Sequence, residues 1–391
     1  MSARAATAPP GADPLPLVLY LHSSAGGYGA DRQLALIAGG LSRYRALVVL
    51  PERGTLADRL EAAGAEVVVR ELSVVRSGHF HFLGLAGIAT RAARDARALA
   101  ALARERGAVV VHSNTSVVLG GAPAARLARL PHVWHVREIY AGWARAWPLW
   151  RRALLAGAQA LPCVSQATRA QFGADRRPRL LYDGLARDIV RAPRAAARAA
   201  LGLPAEGFVC AVLGRISSWK GQELLARALA RAPLAEIGAI ALVAGDAWPG
   251  EEGRERALRA LGVALGVGDR LRLLGYREDV STLLGAADAV VVPSTRADPL
   301  PNAALEAAAA GCCVVAANHG GLSEIVRDGA TGRLVAPGDA DALAATLAEL
   351  AGDEDARERM GMAAAADVRA RFAPGALIAG VEALYDELTG A

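Results

Sequence analysis

The sequence predicts an α/β chain built from two doubly wound domains, on three observations. A chain of 391 residues exceeds the size at which a single hydrophobic core usually stops growing, so two cores are expected. Short apolar runs of β type alternate with alanine-rich helical segments from end to end, as in parallel sheets covered by helices on both faces. The second half then repeats the order of elements of the first.

Taken in order, residues 1–13 read as a disordered leader: small residues and prolines, with no apolar stretch behind a basic start, argue against a signal peptide. The strands expected next are Leu15–Leu21, Ala46–Leu50, Glu66–Arg70, Ala108–His112, His132–Val136 and Ala160–Val164, with helices such as Gly87–Arg106 between them. The second series is Phe208–Leu213, Ala239–Ala244, Arg270–Leu274, Ala289–Val292 and Cys312–Ala316. Between the two series, Tyr182–Pro204 carries Asp183-Gly184, Pro193 and Pro204 without a strand pattern, and reads as the interdomain connection. Beyond Gly338 the pattern is helical, with a break at Pro374 that opens a final amphipathic helix. The expected domains are therefore 14–190 and 205–372, followed by a helix over 373–391 that either stands alone or returns to the first domain.

Hydrophobic residues make up 53% of the chain, yet no apolar run reaches the roughly 20 uncharged residues of a membrane span. The longest candidate, Ala303–Ala317, carries Glu306. A cytoplasmic protein is expected, with peripheral contact at the inner face of a membrane as an extension of that reading. Cys163, Cys210, Cys312 and Cys313 have no metal-ligand spacing and read as buried thiols. The formal charge of +5 comes from scattered arginines without a nucleic-acid motif. It suits an anionic phosphate ligand or an anionic lipid surface better.

Ligands of open parallel sheets bind beyond the carboxyl ends of the strands, so the segments that follow each strand hold the candidate chemistry. His22-Ser23-Ser24-Ala25-Gly26-Gly27-Tyr28-Gly29 follows the first strand, and Gly26 and Gly27 let the backbone approach an anion at a helix start. A dinucleotide fingerprint is the rival reading, but Arg32 stands where its third glycine belongs. Gly214-Arg215-Ile216-Ser217-Ser218-Trp219-Lys220-Gly221 follows the strand ending at Leu213 and supplies an arginine fork and a lysine point charge, suited to a diphosphate. The third segment, Pro293 to Glu306, places Asp298 in a loop and Glu306 on the next helix, where carboxylates accept hydrogen bonds from sugar hydroxyls. Gly320-Gly321 opens another helix and offers further backbone donors.

Together these segments resemble glycosyltransferase family 4, the retaining enzymes of GT-B fold. The likeness rests on Gly214, Arg215, Lys220 and Gly221, on Asp298 through Leu305-Glu306, and on Gly320–Val326 and Asp328–Gly332; weaker similarity covers most of the rest. The resemblance implies two Rossmann-like domains facing each other across a cleft. It implies a nucleotide-diphospho-sugar as co-substrate, no metal and no other cofactor. Arg215 and Lys220 inherit the donor diphosphate, Glu306 with Leu305 the nucleoside, Asp298 the donor sugar, His135 a contact to the donor and Tyr276 the region that frames the base, with a satisfied strand-end histidine and core packing as the alternative readings of the last two. Three departures stand out: Asp298 where glutamate is usual, Cys313 where proline is usual, and Asp183 for the common asparagine.

The activity implied is transfer of a sugar to an acceptor hydroxyl, with retention, in glycan, polysaccharide, glycolipid or glycosylated-metabolite synthesis. The acceptor stays open between a growing glycan, a lipid-linked sugar and a small molecule. A GT-B epimerase and a non-catalytic nucleotide-sugar-binding subunit are the alternatives. Trp143, Trp147 and Trp150, beside Arg145, Arg151 and Arg152, fit either an interfacial helix or a stripe buried in the first domain. His79 and His81 fit an acceptor pocket or a surface loop, and Asp353-Glu354-Asp355 a solvated helix start.

Overall fold

The computed structural model describes residues 15–75, 82–143, 145–247 and 250–391, with the backbone alone at 82–86, 88 and 89. The leader over 1–13 and the loop with His79 and His81 lie outside the described residues. Two compact units emerge. The first comprises the described residues up to His135 together with Arg152–Pro162 and Ile378–Ala391; the second comprises Val136–Arg151 and Cys163–Leu377.

The first unit contains a parallel sheet of β1 (Leu17–Leu21), β2 (Arg45–Leu50), β3 (Glu66–Val69), β4 (Ala108–Ser113) and β5 (His132–Trp134), in the order β3-β2-β1-β4-β5. Every residue of β1 is buried, which explains its unbroken apolar run: a central parallel strand is covered on both faces. A short pair follows, β6 (Leu161–Cys163) with β7 (Pro178–Leu180). The second unit has a six-stranded parallel sheet of β8 (Val209–Leu213), β9 (Ile240–Ala244), β10 (Leu271–Gly275), β11 (Ala289–Val292), β12 (Cys313–Ala317) and β13 (Arg333–Val335), ordered β10-β9-β8-β11-β12-β13. Strand order reverses between β1 and β4 in one sheet and between β8 and β11 in the other. Crevices for ligands open at such switch points.

The stretch expected as the connection is instead part of the second unit. Leu185 is buried in its core, and Ala197 and Leu203 join the cluster formed by Val209, Leu242 and Leu283. Arg198, 1% exposed, donates to Ala205 O (2.9 Å), Gly207 O (3.0 Å) and Asp288 Oδ2 (2.6 Å). Part of the arginine excess thus satisfies buried carbonyls rather than meeting a partner. Residues 136–151 and 163–190, expected in the first domain, also belong here. Arg137 pairs with Asp183, Glu324 accepts from the amides of Gln166 and Ala167 (both 2.8 Å), and the Leu185 amide donates to Phe372 O (2.8 Å).

The chain after Gly338 is helical, over Ala340–Gly352, Glu354–Arg371 and Pro374–Thr389. The end of the last helix packs in the first unit, where Glu382 accepts from the amides of Ser42 (2.6 Å) and Arg43 (2.7 Å). Asp353 caps its helix through the Ala356 amide (2.8 Å), as a solvated helix start should.

Candidate functional site

In the second unit, three loops that follow β8, β11 and β12 converge. Lys220 Nζ donates to Asp298 Oδ2 at 2.6 Å and lies 4.4 Å from the centre of the Trp219 ring. Gly221 has φ +79°, and a Cβ there would stand 1.9 Å from Pro293 O; only glycine lets the β8 turn rest on the β11 loop. Gly320, at φ +59°, comes as close to Asp298, whose carbonyl would be 2.4 Å from a Cβ. His319 Nε2 bonds Ser294 O (2.7 Å) and Thr295 N donates to Trp219 O (2.8 Å), so the loops hold one another. Arg215 follows Gly214 at the end of β8; its carbonyl accepts from Gln222 Nε2 (3.0 Å), and its side chain is half-buried.

Some expected residues take different parts. Gly321 does not offer its amide to a ligand, because that N–H donates to Asp298 O (2.8 Å), and the helix behind it, Leu322–Ile325, has only four residues. The Leu305 side chain is 1% exposed and lies in the core with Val290 and Val314. One residue further on, the Glu306 carboxylate is buried, with Arg187 Nε 3.8 Å away. Arg187 carried no sequence signal, because it sits in a stretch read as a connection. Tyr276 directly follows β10 and is exposed.

In the first unit, the loop after β1 is organised by a carboxylate. Asp31, in the first turn of the helix Gly29–Gly40, accepts from Ser24 Oγ (2.5 Å) and the Tyr28 amide (3.0 Å), and its Oδ1 lies 2.8 Å from His22 Nε2. Asn114 Nδ2 donates to His22 Nδ1 (3.1 Å), which leaves the ring proton on Nε2, facing Asp31. A Cβ at Gly26 would lie 3.3 Å from Asp31 Oδ2 and one at Gly27 3.5 Å from Arg59 Nη1. Asn114 was missed because its partner His22 lies in a separate segment, 92 residues away.

Burial works against ionisation of Asp31, but the hydrogen bonds from His22, Ser24 and the Tyr28 amide prevail and hold the carboxyl below its ordinary value. Its contribution to stability is therefore complete above the unfolded carboxylate pKa, about 4, and is lost as pH falls through the lower folded value. Asp31→Asn is expected to cost about 1–3 kcal/mol at neutral pH. Urea unfolding of the two proteins should then converge as pH falls below about 4. A constant gap down to pH 2 would contradict this account.

His135 follows β5; it is fully buried, its amide donates to Ser113 O (2.9 Å), and its ring stacks on His112 at 5.5 Å between centres. The tryptophan stripe packs in the second unit rather than the first. Trp147 stacks on Tyr140 (4.8 Å) and meets Phe172 edge-on (5.4 Å), while Trp143 lies 5.0 Å from Tyr140. These contacts leave Trp143, Trp147 and Trp150 half-buried. The four cysteines are buried free thiols, and burial pushes Cys163, Cys210 and Cys313 up to about 12 and Cys312 to about 11. Among the described residues no three His, Cys, Asp or Glu side chains are grouped as metal ligands, and no helix is long and apolar enough to cross a membrane.

Residues 193–367 match the family described as glycosyl transferases group 1. A D-inositol 3-phosphate glycosyltransferase of Nocardia farcinica is 40% identical over 177 residues, 44% of this chain and 39% of the relative. The protein of the same name from Corynebacterium efficiens is 36% identical over 200 residues, 50% and 46% of the two chains. This chain thus matches less than half the length of these curated relatives. Among solved structures, Anabaena HepE in complex with UDP and glucose superposes with a TM-score of 0.81 at 28% identity, over 95% of this chain and 99% of that one. Sucrose-phosphate synthase from Thermosynechococcus elongatus, 22% identical, gives 0.75 over 96% and 99%, a likeness of fold alone. The two parallel sheets are those of a GT-B fold.

Proposed function

We propose, from the match of residues 193–367 to the family described as glycosyl transferases group 1, that the chain moves a sugar from a nucleotide-diphospho-sugar to an acceptor hydroxyl. The observation that carries this reading is the convergence of Lys220, Asp298 and Gly320 at the carboxyl ends of β8, β11 and β12. Breaking a sugar-phosphate bond builds negative charge on the departing diphosphate and positive charge on the ring. Fixed cations beside the diphosphate lower that barrier, and Arg215 and Lys220 fill this role.

Lys220 holds Asp298 as its counter-ion. A diphosphate competes for the ammonium, and the carboxylate so released turns to the hydroxyls of the donor sugar. His135 is a donor contact by the family resemblance, and Glu306 accepts from the ribose hydroxyls. Retention of configuration and independence of metal follow from the family resemblance. The donor is a uridine diphosphohexose on this reading, supported by the UDP, UDP-glucose and glucose complexes of Anabaena HepE. The acceptor belongs to one of the glycan, lipid-linked or small-molecule classes, and cytoplasmic location goes with a nucleotide-sugar donor.

A calorimetric screen of uridine, guanosine and thymidine diphospho-sugars tests the donor; no binding by any of them would overturn the proposal. Glu306→Gln removes a charged acceptor from the nucleoside. It should weaken UDP and UDP-glucose about tenfold, near 1.4 kcal/mol, and leave pyrophosphate affinity unchanged. Equal weakening of all three would reassign Glu306 to the phosphates.

A further inference from the structure

The last helix, Pro374–Thr389, reaches the sheet of the first unit with one side chain that the proposed mechanism does not use. Tyr385 is fully buried, and its hydroxyl lies 2.5 Å from both Tyr20 Oη on β1 and His112 Nδ1 on β4. Tyr20 and His112 are register partners and stack at 4.9 Å, and His112 stacks in turn on His135 at 5.5 Å; both stacks are tilted by 26°. Three rings in a row therefore lead from β1 to the histidine assigned to the donor, and Tyr385 clasps the middle one.

Two orders of protons are compatible with this row. Tyr385 is the hydroxyl partner of Tyr20 among the described residues. Either Tyr20 donates to Tyr385 and Tyr385 to His112 Nδ1, or His112 Nδ1 donates to Tyr385 and Tyr385 to Tyr20; both orders tie the three side chains together. Burial raises both phenols, so both stay protonated. In either order the Tyr385 hydroxyl sets the orientation of the His112 ring. The helix that brings this hydroxyl is pinned one turn earlier by Glu382 on the amides of Ser42 and Arg43, and beside it by Asp386, which accepts from Tyr44 Oη at 2.8 Å.

We propose that Tyr385 is a positioning residue that acts through His112 on His135, so that the terminal helix fixes the ring that meets the donor. This rests on the donor-contacting role given to His135 above. A ring on which a reacting donor leans loses rate steeply with small displacements.

A mutant cycle in the full chain, read by UDP release from UDP-glucose, tests the idea. Tyr385→Phe should lower kcat about tenfold, change KM less than about twofold and keep Tm within a few degrees. In a His135→Ala background the same substitution should have no further effect. Tyr20→Phe keeps the bond between Tyr385 and His112 and should leave kcat within about twofold. A full tenfold loss in the His135→Ala background, or an equal loss from Tyr20→Phe, would overturn the proposal. An unaffected kcat in His135→Ala alone would instead remove the role of His135, a separate failure. A readout free of any donor is the histidine-ring NMR spectrum: Tyr385→Phe should broaden or split the His135 resonances, and an unchanged ring signal would overturn the proposal. If Tyr385→Phe does not fold, His112→Phe, which keeps a stacked ring and loses the bond, takes its place in the same cycle.

Discussion

Lys220→Ala is expected to lower kcat between about a hundredfold and a thousandfold, the loss typical of removing a preorganised donor from a developing negative charge. The ammonium is the one group that contacts Asp298 at 2.6 Å and also projects from the turn after β8, so the substitution has two consequences. Turnover falls because the leaving diphosphate loses a cation. Stability falls as well, because the Asp298 side chain is only 6% exposed and its charge is left without a partner. The two effects can be separated: Lys220→Ala with Asp298→Asn should recover most of the stability and none of the turnover. Single-turnover kinetics and urea unfolding on the three variants decide it. A Lys220→Ala protein with kcat near the wild-type value would refute the assignment, whatever its stability.

The largest effect on folding is expected from Arg137→Ala, about 3–5 kcal/mol. Arg137 Nη1 lies 2.5 and 2.7 Å from the two oxygens of Asp183, and each side chain is 6% exposed. Removing the guanidinium strands a carboxylate in a dry site, which costs far more than the pair contributes. A double variant with Asp183→Asn, the residue usual in the resembled family, leaves no buried charge and should recover more than half of the loss. Denaturant midpoints at constant m-value measure both. A single-variant loss under about 1 kcal/mol would show that the site is wetter than its geometry indicates.

Much of the architecture was legible in the chain itself. Ala289–Val292 is a strand at the same limits as expected, and the other ten expected strands lie within two residues of theirs at either end, because most of these parallel strands are buried and leave apolar runs bounded by glycine and helix starts. Pro178–Leu180 and Arg333–Val335 escaped notice because each has three residues and includes an arginine, too short and too polar for a pattern. Residues 182–204 misled for a related reason. Prolines and arginines looked like a linker, but the arginine stems and guanidinium groups are consumed by carbonyls of the second unit.

The glycine-lined segments after β1 and β8 and the Asp298–Glu306 run announced the candidate site from sequence, since charged and glycine residues at strand ends have few other uses. Their partners did not appear there. Lys220 meets Asp298 across 78 residues, Arg137 meets Asp183 across 46, and Tyr20 meets Tyr385 across 365. Local periodicity reports which face of an element is apolar and nothing about which distant element covers it. By itself, then, the sequence determined the alternation of strand and helix and the residue types at the strand ends. Tertiary structure alone decided which charges neutralise one another, that Gly321 spends its amide on Asp298, and that a tyrosine from the final helix reaches His112. Strand order sets those contacts: β11 lies beside β8 and β4 beside β1, and no local signal encodes that adjacency.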